Sequence, residues 1–327
     1  MSILTLDIGG TKIAAALVSD GVVGSRESVP TPAREGADAV LGRAAVLARS
    51  VCRDAGPADP VTALGVSCAG VVDSERGVVV AATDLIAGWA GTAVADRLAG
   101  AFGVPAWCLN DVHAHALGEA RHGAGRHTGS MLLVAIGTGI GGAHVLDGSV
   151  VAGAHHAAGH VGHVHVALAG DRRCSCGRRG HLEAIASGSA MLTAYRERGG
   201  VAADGADLDA AAAIPGPPGE AARAVLATAG RATGIAIGSL LNVLDPEVVV
   251  LSGGVVGAGA PWLEPLRAGV RESALDALAD TPVVLAQTGA DAPHLGAAAF
   301  VRERMGAGGS GSAGAPAMRA SALEVGR

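Results

Sequence analysis

The sequence is poor in aromatic residues, in long hydrophobic runs and in net positive charge, and these shortages limit the kinds of protein that it can form. Aromatic residues make up 2% of the 327-residue chain and hydrophobic residues 50%, so a core must be built from alanine, valine and leucine. No uninterrupted apolar run reaches the roughly 20 residues that a membrane-spanning helix needs. With 24 Lys+Arg against 30 Asp+Glu, the chain has no basic surplus that would favour a nucleic-acid partner.

The chain also lacks a recognisable targeting segment and a disulfide framework. Residues 3–6 are predicted to form a strand, and no basic region with an apolar core precedes them as in a signal peptide. Five cysteines, an odd number, favour a reducing compartment over paired disulfides. We therefore expect a cytoplasmic α/β protein, long enough for two domains, with no membrane partner.

Glycine is abundant, and three glycine turns follow predicted strands. Because glycine has no Cβ, backbone amides in such turns can approach a phosphate closely, and a neighbouring hydroxyl adds a donor. A carboxylate at the end of a strand can also hold a hydrated Mg²⁺ beside the phosphates. The candidate phosphate- and nucleotide-binding residues are Asp7, Gly9, Gly10, Thr11, Lys12, Gly137, Thr138, Gly139, Gly253 and Gly254.

Each turn has a simpler explanation as well. A glycine pair between two strands is what a tight hairpin needs for positive φ, and Lys12, the only lysine, is compatible with compositional bias. The spacing differs from a Walker A loop. Two such hairpins in one chain nevertheless favour phosphate binding, because a triphosphate needs donors from both sides of a cleft. The repetition also predicts a duplicated α/β unit with a cleft between its halves.

The pair Asn110-Asp111 follows a predicted strand and precedes a predicted helix. Aspartate is a favoured N-cap, so helix capping explains its position without a catalytic role. A carboxylate at the carboxyl end of a strand is also where α/β sheets place catalytic groups. Both roles can hold together, and Asp111 is the candidate catalytic residue.

Residues 159–188 contain the densest group of metal-binding side chains. Cys174 and Cys176 are one residue apart, with His163 upstream and His181 five residues downstream. Thiolate and imidazole are the ligands that zinc takes in closed tetrahedral sites, and two thiols at this spacing rarely serve packing alone. The segment therefore predicts a zinc site that shapes the loop leading into Glu183.

A catalytic zinc is the main alternative for this segment, because His160, His163 and His165 lie close together in sequence. A catalytic zinc needs an open coordination position, whereas a Cys/Cys/His/His set occupies all four. A zinc hydrolase would also leave both glycine hairpins without a role. We therefore favour a structural metal.

Taken together, these motifs resemble those of the ROK family (repressors, open reading frames, sugar kinases) within the actin-like, hexokinase-like ATPase superfamily. The resemblance extends over residues 6–300. The first glycine turn is similar to the family's first phosphate motif, residues 135–143 to its second, and residues 248–255 to its adenosine motif. Asn110-Asp111 match the family's sugar-binding pair, whose aspartate is the catalytic base.

Two departures from the family's zinc signature stand out. A Gly-His pair ending at His163 and residues 174–183 match the signature in all but one ligand, because the family's last cysteine is His181 here. The glutamate that usually precedes the zinc histidine by three residues is His160. In many glucokinases of the family that glutamate contacts sugar hydroxyls. His160, together with residues 183–188, looks more like the bacterial N-acetylmannosamine kinases.

The resemblance implies two actin-like (ribonuclease H-like) α/β domains flanking a central cleft, and an ATP-dependent sugar kinase that forms a homodimer. The γ-phosphate would pass to the 6-hydroxyl of a hexose or N-acetylhexosamine, with N-acetylmannosamine favoured and glucose as the alternative. Asp111 would accept the hydroxyl proton, Mg²⁺ would lie near Asp7, and Zn²⁺ would be structural. The implied sugar-binding residues are Gly70, Asn110, Asp111, His160, His163 and Glu183.

Two further alternatives remain within the same family. A sugar-responsive repressor would carry an N-terminal winged helix-turn-helix, and we expect none because the first phosphate motif begins at Asp7. A sugar-binding protein without kinase activity is the other. We predict domains over residues 1–112, with 293–305 returning to the first, and 113–292.

The composition predicts irregular structure in two places, one inside the second predicted domain and one at the end of the chain. Residues 199–219 are rich in Gly, Ala, Asp and Pro and are predicted to form a loop. Residues 306–327 are rich in Gly, Ser and Ala and are predicted to be a disordered tail.

Overall fold

The computed structural model describes residues 2–54 and 60–309 and contains two five-stranded sheets with helices packed against them. The strands are β1 (Ser2–Ile8), β2 (Lys12–Ser19), β3 (Val22–Pro30), β4 (Val61–Cys68), β5 (Val71–Asp73), β6 (Val78–Ala81), β7 (Ala106–Asn110), β8 (Ser130–Ile136), β9 (Ile140–Leu146), β10 (Ser149–Val150), β11 (Val248–Ser252) and β12 (Val283–Leu285). The helices are α1 (Ala37–Asp54), α2 (Val94–Phe102), α3 (Asp111–His122), α4 (Glu183–Ala186), α5 (Gly188–Glu197), α6 (Gly205–Ala213), α7 (Pro217–Leu244), α8 (Ala260–Ser273) and α9 (Ala292–Gly309). Short 3₁₀ helices span Ala33–Glu35, Val161–His163, Ala167–Ala169, Gly254–Ala258 and Gly289–Asp291.

The two sheets have the same strand order and the same directions. The first runs β3-β2-β1-β4-β7 and the second β10-β9-β8-β11-β12, and β5 and β6 form a separate hairpin. In each sheet the three strands of the meander pair antiparallel, and the remaining two add in parallel. The predicted duplication of an α/β unit is therefore confirmed.

The carboxyl ends of the central strands converge in each sheet. In the first sheet Ile8 pairs with Cys68, and Cys68 pairs in turn with Asn110. In the second sheet Ala135 pairs with Ser252. Parallel strands therefore bring the residues that follow β1, β4 and β7 to one edge, and those that follow β8 and β11 to another. These are the positions where open α/β sheets bind ligands.

Helices α3 and α9 connect the two halves of the protein, meaning the N-terminal half built on the first sheet and the second half built on the second sheet. Helix α9 contacts α3 and also packs on β1 and β4, where Leu295, Ala298 and Val301 are buried against the first sheet. Helix α3 follows β7 directly and contacts β9 of the second sheet. The return of residues 293–305 to the first half stays a prediction, because α9 also contributes Ala297 and Phe300 to the core of the second sheet. Helix α9 continues to Gly309, so residues 306–309 are helical rather than a tail, and 310–327 lie outside the described residues.

The predicted loop over residues 199–219 was wrong, because most of it is helical. Helix α6 occupies Gly205–Ala213, and α7 already begins at Pro217. The side chain of Asp204 accepts a hydrogen bond from the Asp207 amide and caps α6, which buries Leu208 beside α7. Alanine favours the helical conformation, and packing against the rest of the protein outweighs the preference of the flanking Gly, Asp and Pro residues for turns.

Helix α7 is the long core helix of the second half. By length and composition alone it could cross a membrane, but 61% of its most apolar window is buried within the protein. It packs on α8 and α6. Its apolar character is explained by those contacts and carries no argument for a bilayer.

Candidate active site

A cleft of about 1270 Å³ lies where the functional segments of the two halves meet. Its volume exceeds that of a pocket for a single small molecule and leaves room for a sugar together with a nucleotide. The lining includes these residues proposed from sequence: Gly70, Asn110, Asp111, Gly137, Thr138, Gly139, His160, His163, Glu183 and Gly253.

The remaining proposed residues are not among those that line the cleft. They are Asp7, Gly9, Gly10, Thr11, Lys12, Gly254, Cys174, Cys176 and His181. Gly10 lies against Leu85, which does line the cleft: a Cβ at Gly10 would be 3.3 Å from that of Leu85. The first glycine turn is therefore at the cleft margin.

Asp111 is the first residue of α3, and Asn110 is the residue that caps this helix. The Asn110 amide oxygen accepts hydrogen bonds from the backbone amides of Val112 and His113, at 3.0 and 3.1 Å. Its Nδ2 donates to the Gly70 carbonyl at 2.9 Å and to Asp111 Oδ1 at 2.8 Å. Asn110 is therefore the capping residue. Its side chain also orients the carboxylate of Asp111 and connects that carboxylate to the Gly70 turn.

The pKa of the Asp111 carboxyl group is suited to a general base near neutral pH. Burial raises its pKa to about 6, and the negative charge of Asp7 adds to the increase. Hydrogen bonds from the Val112 amide and the Asn110 side chain oppose it. At pH 7 the group is mostly ionised, yet basic enough to accept a proton, which is the compromise that general-base catalysis favours.

Asp7 lies at the carboxyl end of β1, behind the first glycine turn. Its Oδ1 accepts a hydrogen bond from the Ser67 hydroxyl at 2.7 Å, and burial raises its pKa. The Ser67 hydrogen bond and the positive charge of Lys12 partly offset that increase. Two carboxylates close enough to influence each other, Asp7 and Asp111, are a fitting environment for a divalent cation.

The first two glycine turns are each closed by an internal hydrogen bond. The Gly9 amide donates to the Lys12 carbonyl at 3.0 Å, and the Gly137 amide donates to the Gly139 carbonyl at 2.9 Å. The second turn is also tied to the start of α5, because the Gly188 amide donates to the Gly137 carbonyl at 2.7 Å. The Gly9 and Gly137 amides therefore hold the two turns in shape, and the residues of the second turn line the cleft.

The third turn requires glycine at Gly253. This residue has φ +92°, and a Cβ on it would lie 2.1 Å from the Ile136 carbonyl oxygen. Gly253 therefore rests directly on the end of β8, next to the second glycine turn. The two turns form one continuous backbone surface on this side of the cleft.

The segment carrying His160 packs against β9, the strand that follows the second glycine turn. Gly159 has φ +91°, and a Cβ there would lie 2.2 Å from the Gly142 carbonyl oxygen. The His160 Nδ1 donates to the Ala157 carbonyl at 2.9 Å, and the side chain is otherwise exposed at the cleft. The imidazole is therefore oriented by its own loop.

The four predicted metal ligands converge. The ligand atoms of His163, Cys174, Cys176 and His181 all lie within 4.8 Å of one another. His163 Nδ1 is 3.4 Å from Cys174 Sγ, and His181 Nδ1 is 3.2 Å from Cys176 Sγ. Tetrahedral zinc with its usual bond lengths separates its ligands by about 3.3 to 3.8 Å, so the residues fit this ion.

Glu183 connects the metal-binding cluster to the cleft. Its Oε2 accepts a hydrogen bond from the Ile140 amide at 2.9 Å, and its Oε1 accepts one from the Ser175 hydroxyl at 2.5 Å. Ser175 lies between the two cysteines of the cluster. The carboxylate therefore connects the second glycine turn to residues 172–176, here called the cysteine loop. Each of its oxygens can accept a further hydrogen bond from a molecule bound in the cleft.

Part of the lining was not anticipated from sequence. The N-terminal half contributes an exposed segment after β6, and the cysteine loop contributes two arginines; these residues include Thr83, Asp84, Leu85, Arg172 and Arg173. No spacing or residue type distinguishes these positions from ordinary surface residues. Only the closure of the two halves on one another brings them to the cleft.

Comparisons with known proteins agree with this architecture. A sequence profile of the ROK family matches residues 3–304. A ROK hexokinase from Thermus thermophilus is 33% identical, with a TM-score of 0.76, and the match covers 93% of this chain and 100% of that chain. A ROK family glucokinase from Streptomyces griseus, solved in complex with glucose and AMPPNP, is 28% identical, with a TM-score of 0.78 and the same coverage of both chains.

A third relative differs in the sugar that its name specifies. An N-acetylmannosamine kinase from Salmonella typhi is 30% identical over 272 residues, which are 82% of this chain and 88% of that protein. Relatives named for glucose and for N-acetylmannosamine therefore match this chain at similar identity, and all are kinases. The predicted family and two-domain α/β fold are confirmed: the chain belongs to the ROK family and is an ATP-dependent sugar kinase.

Proposed function

We propose that the protein is a cytoplasmic, homodimeric kinase that transfers the γ-phosphate of ATP to the 6-hydroxyl of an N-acetylhexosamine, with N-acetylmannosamine as the preferred substrate. The observation that carries the proposal is the position of Asp111, a partly buried carboxylate at the end of β7 that lines a cleft shared with the second and third glycine turns and whose pKa is raised to about 6 by desolvation. Asp111 accepts the proton of the sugar hydroxyl and orients its oxygen toward the γ-phosphate. The loose transition state of phosphoryl transfer makes this positioning the main contribution of the protein.

Three further sets of residues bind the nucleotide, the magnesium ion and the structural zinc ion. Backbone and hydroxyl groups of the turns that end at Lys12 and Gly139 bind the phosphates, and the turn at Gly253 contacts the adenosine. Asp7 holds Mg²⁺, which supplies charge stabilisation to the phosphates when bound. His163, Cys174, Cys176 and His181 hold a structural zinc that fixes the loop leading to Glu183.

The preference for an N-acetylhexosamine rests on His160. The side chain lines the cleft at the position where the family usually has a glutamate. A carboxylate there accepts hydrogen bonds from two sugar hydroxyls, whereas the imidazole, whose Nδ1 already donates to the Ala157 carbonyl, presents only Nε2 to a sugar. A sugar with an acetamido group in place of a hydroxyl needs fewer acceptors. Gly70, Asn110, His163 and Glu183 are the other proposed sugar-binding residues.

A coupled ADP-release assay across a sugar panel tests the proposed function. We expect kcat/KM to be highest for N-acetylmannosamine among N-acetylmannosamine, N-acetylglucosamine, glucose and mannose. A higher value for glucose would make the protein a glucokinase. Absence of sugar-dependent ADP release across the panel, in a protein that binds sugar, would remove the kinase proposal.

His160→Glu is expected to raise kcat/KM for glucose relative to N-acetylmannosamine by roughly tenfold, the effect of one charge-assisted hydrogen bond. His155→Glu is the matched control, because His155 is exposed on the same segment and does not line the cleft. It should leave the ratio unchanged. An unaltered ratio in His160→Glu would show that this residue does not select the sugar.

A further inference from the structure

Helix α3 carries two histidines besides Asp111, and each contacts a different segment that continues into the lining of the cleft. His113 and His115 are two residues apart, so their side chains point about 200° apart around the helix axis. Burial lowers the pKa of both imidazoles, so both are neutral at pH 7. Neither position belongs to the motifs that pointed to the kinase.

His113 holds the segment that carries His160. Its Nε2 lies 3.0 Å from the Ala158 carbonyl oxygen, and because a carbonyl only accepts, Nε2 donates. Ala158 and Gly159 line the cleft directly before His160. His113 itself is buried, at 7% exposure, and the bond is partly buried.

His115 holds the turn at Gly253. Its Nε2 lies 3.0 Å from the Ser252 hydroxyl oxygen, at the end of β11. Ser252 is buried, and the next residue is Gly253, whose backbone rests on Ile136 with no space for a side chain. A shift of Ser252 would therefore move the backbone at Gly253.

We infer that His113 and His115 are positioning residues that fix the sugar-facing segment and the nucleotide-facing turn separately to the helix that begins with Asp111. The catalytic base, the sugar-binding segment and the nucleotide-binding turn are thereby all attached to one helix, α3. In-line phosphoryl transfer requires the hydroxyl oxygen and the γ-phosphate to be aligned, and small displacements cost rate. The inference rests on the proposed function, since it takes the His160 side as the sugar side and the Gly253 side as the nucleotide side.

The two roles predict a crossed pattern of effects. His113→Leu should weaken sugar binding by roughly two- to tenfold and leave nucleotide binding unchanged, because one buried hydrogen bond is lost on the sugar side. His115→Leu should weaken nucleotide binding by a similar factor and leave sugar binding unchanged. Calorimetry with N-acetylmannosamine and, separately, with AMPPNP measures both, and kcat and the two KM values accompany it.

Conservative variants and a matched control separate positioning from general stability. Glutamine places an amide near the imidazole Nε2, so His113→Gln and His115→Gln should recover most of the lost affinity. The control is His294→Leu, because His294 Nδ1 makes a comparable buried bond of 2.9 Å to the Thr5 hydroxyl, and neither residue lines the cleft. It should lower the melting temperature and leave both affinities unchanged.

The inference would be overturned if His113→Leu and His115→Leu each lost sugar and nucleotide affinity equally. It would also be overturned if both variants behaved like His294→Leu, with a lower melting temperature and unchanged affinities. Failure of the proposed function is distinguishable from this. If the wild-type protein binds both probes but does not phosphorylate the sugar, the proposed function is wrong. The crossed pattern in the two binding measurements would still decide the roles of His113 and His115.

Discussion

Replacing Asp111 by asparagine is expected to lower kcat by about two to four orders of magnitude, because the variant keeps the shape of the site but loses the proton acceptor. The amide can still accept the hydrogen bonds from Val112 and Asn110 that now hold the carboxylate. The fold and sugar binding should therefore persist. Steady-state ADP release, calorimetry with the sugar and thermal unfolding measure the three properties on one preparation.

The pH profile provides an independent check on the same residue. Because burial raises the pKa of Asp111 to about 6, the ionised form is lost as pH falls through 6. Wild-type kcat/KM should therefore be constant above pH 7 and about tenfold lower at pH 5. The residual activity of Asp111→Asn should lack this inflection.

Asp84→Asn is the matched control for charge removal, because Asp84 is an exposed carboxylate of the same cleft. It should keep most of the wild-type turnover. Near-normal turnover in Asp111→Asn, or equal losses in both variants, would show that Asp111 is not the base.

Loss of the metal is expected to have the second-largest effect. Cys174→Ala removes the buried ligand of the cluster, so the zinc content should fall from about one ion per chain to a small fraction of that. The loop would then no longer hold Ser175 against Glu183 or His163 at the cleft, and kcat/KM for the sugar should fall roughly 10- to 100-fold. Elemental analysis and steady-state kinetics measure the two effects.

Cys52→Ala is the control for this experiment, since Cys52 is a partly buried free thiol of α1 outside the cluster. It should retain both zinc and activity. A well-folded and fully active preparation of the wild-type protein without zinc would contradict a structural role for the metal.

The parts of the fold that follow from local patterns could be predicted from sequence. A Gly-Gly turn and a Gly-Thr-Gly turn between apolar segments predicted the two hairpins, and their repetition predicted the duplicated unit that the matching strand orders confirm. The spacing of Cys174 and Cys176 predicted a metal-binding cluster, and the structure brings four ligands together. In each case the signal lies within a few residues of chain.

The parts that depend on contacts between distant segments could not be predicted. Helix α6 forms because Leu208 is buried beside α7, although the flanking composition is typical of a loop. The sequence favoured aspartate as the cap of α3, but the side chain of Asn110 takes that role and leaves Asp111 available. The contacts of His113 and His115 join residues 45 and 137 positions apart, and no local pattern indicates them.

Comparison of N-acetylmannosamine with its 6-deoxy analogue tests the central claim most directly. If Asp111 aligns the 6-hydroxyl with the γ-phosphate, the parent sugar should give one ADP per sugar phosphate, with the phosphate on carbon 6 by NMR. The 6-deoxy analogue should bind but release ADP no faster than the sugar-free protein. Phosphorylation of the analogue at the rate of the parent sugar would show that another hydroxyl is the acceptor and would contradict the account.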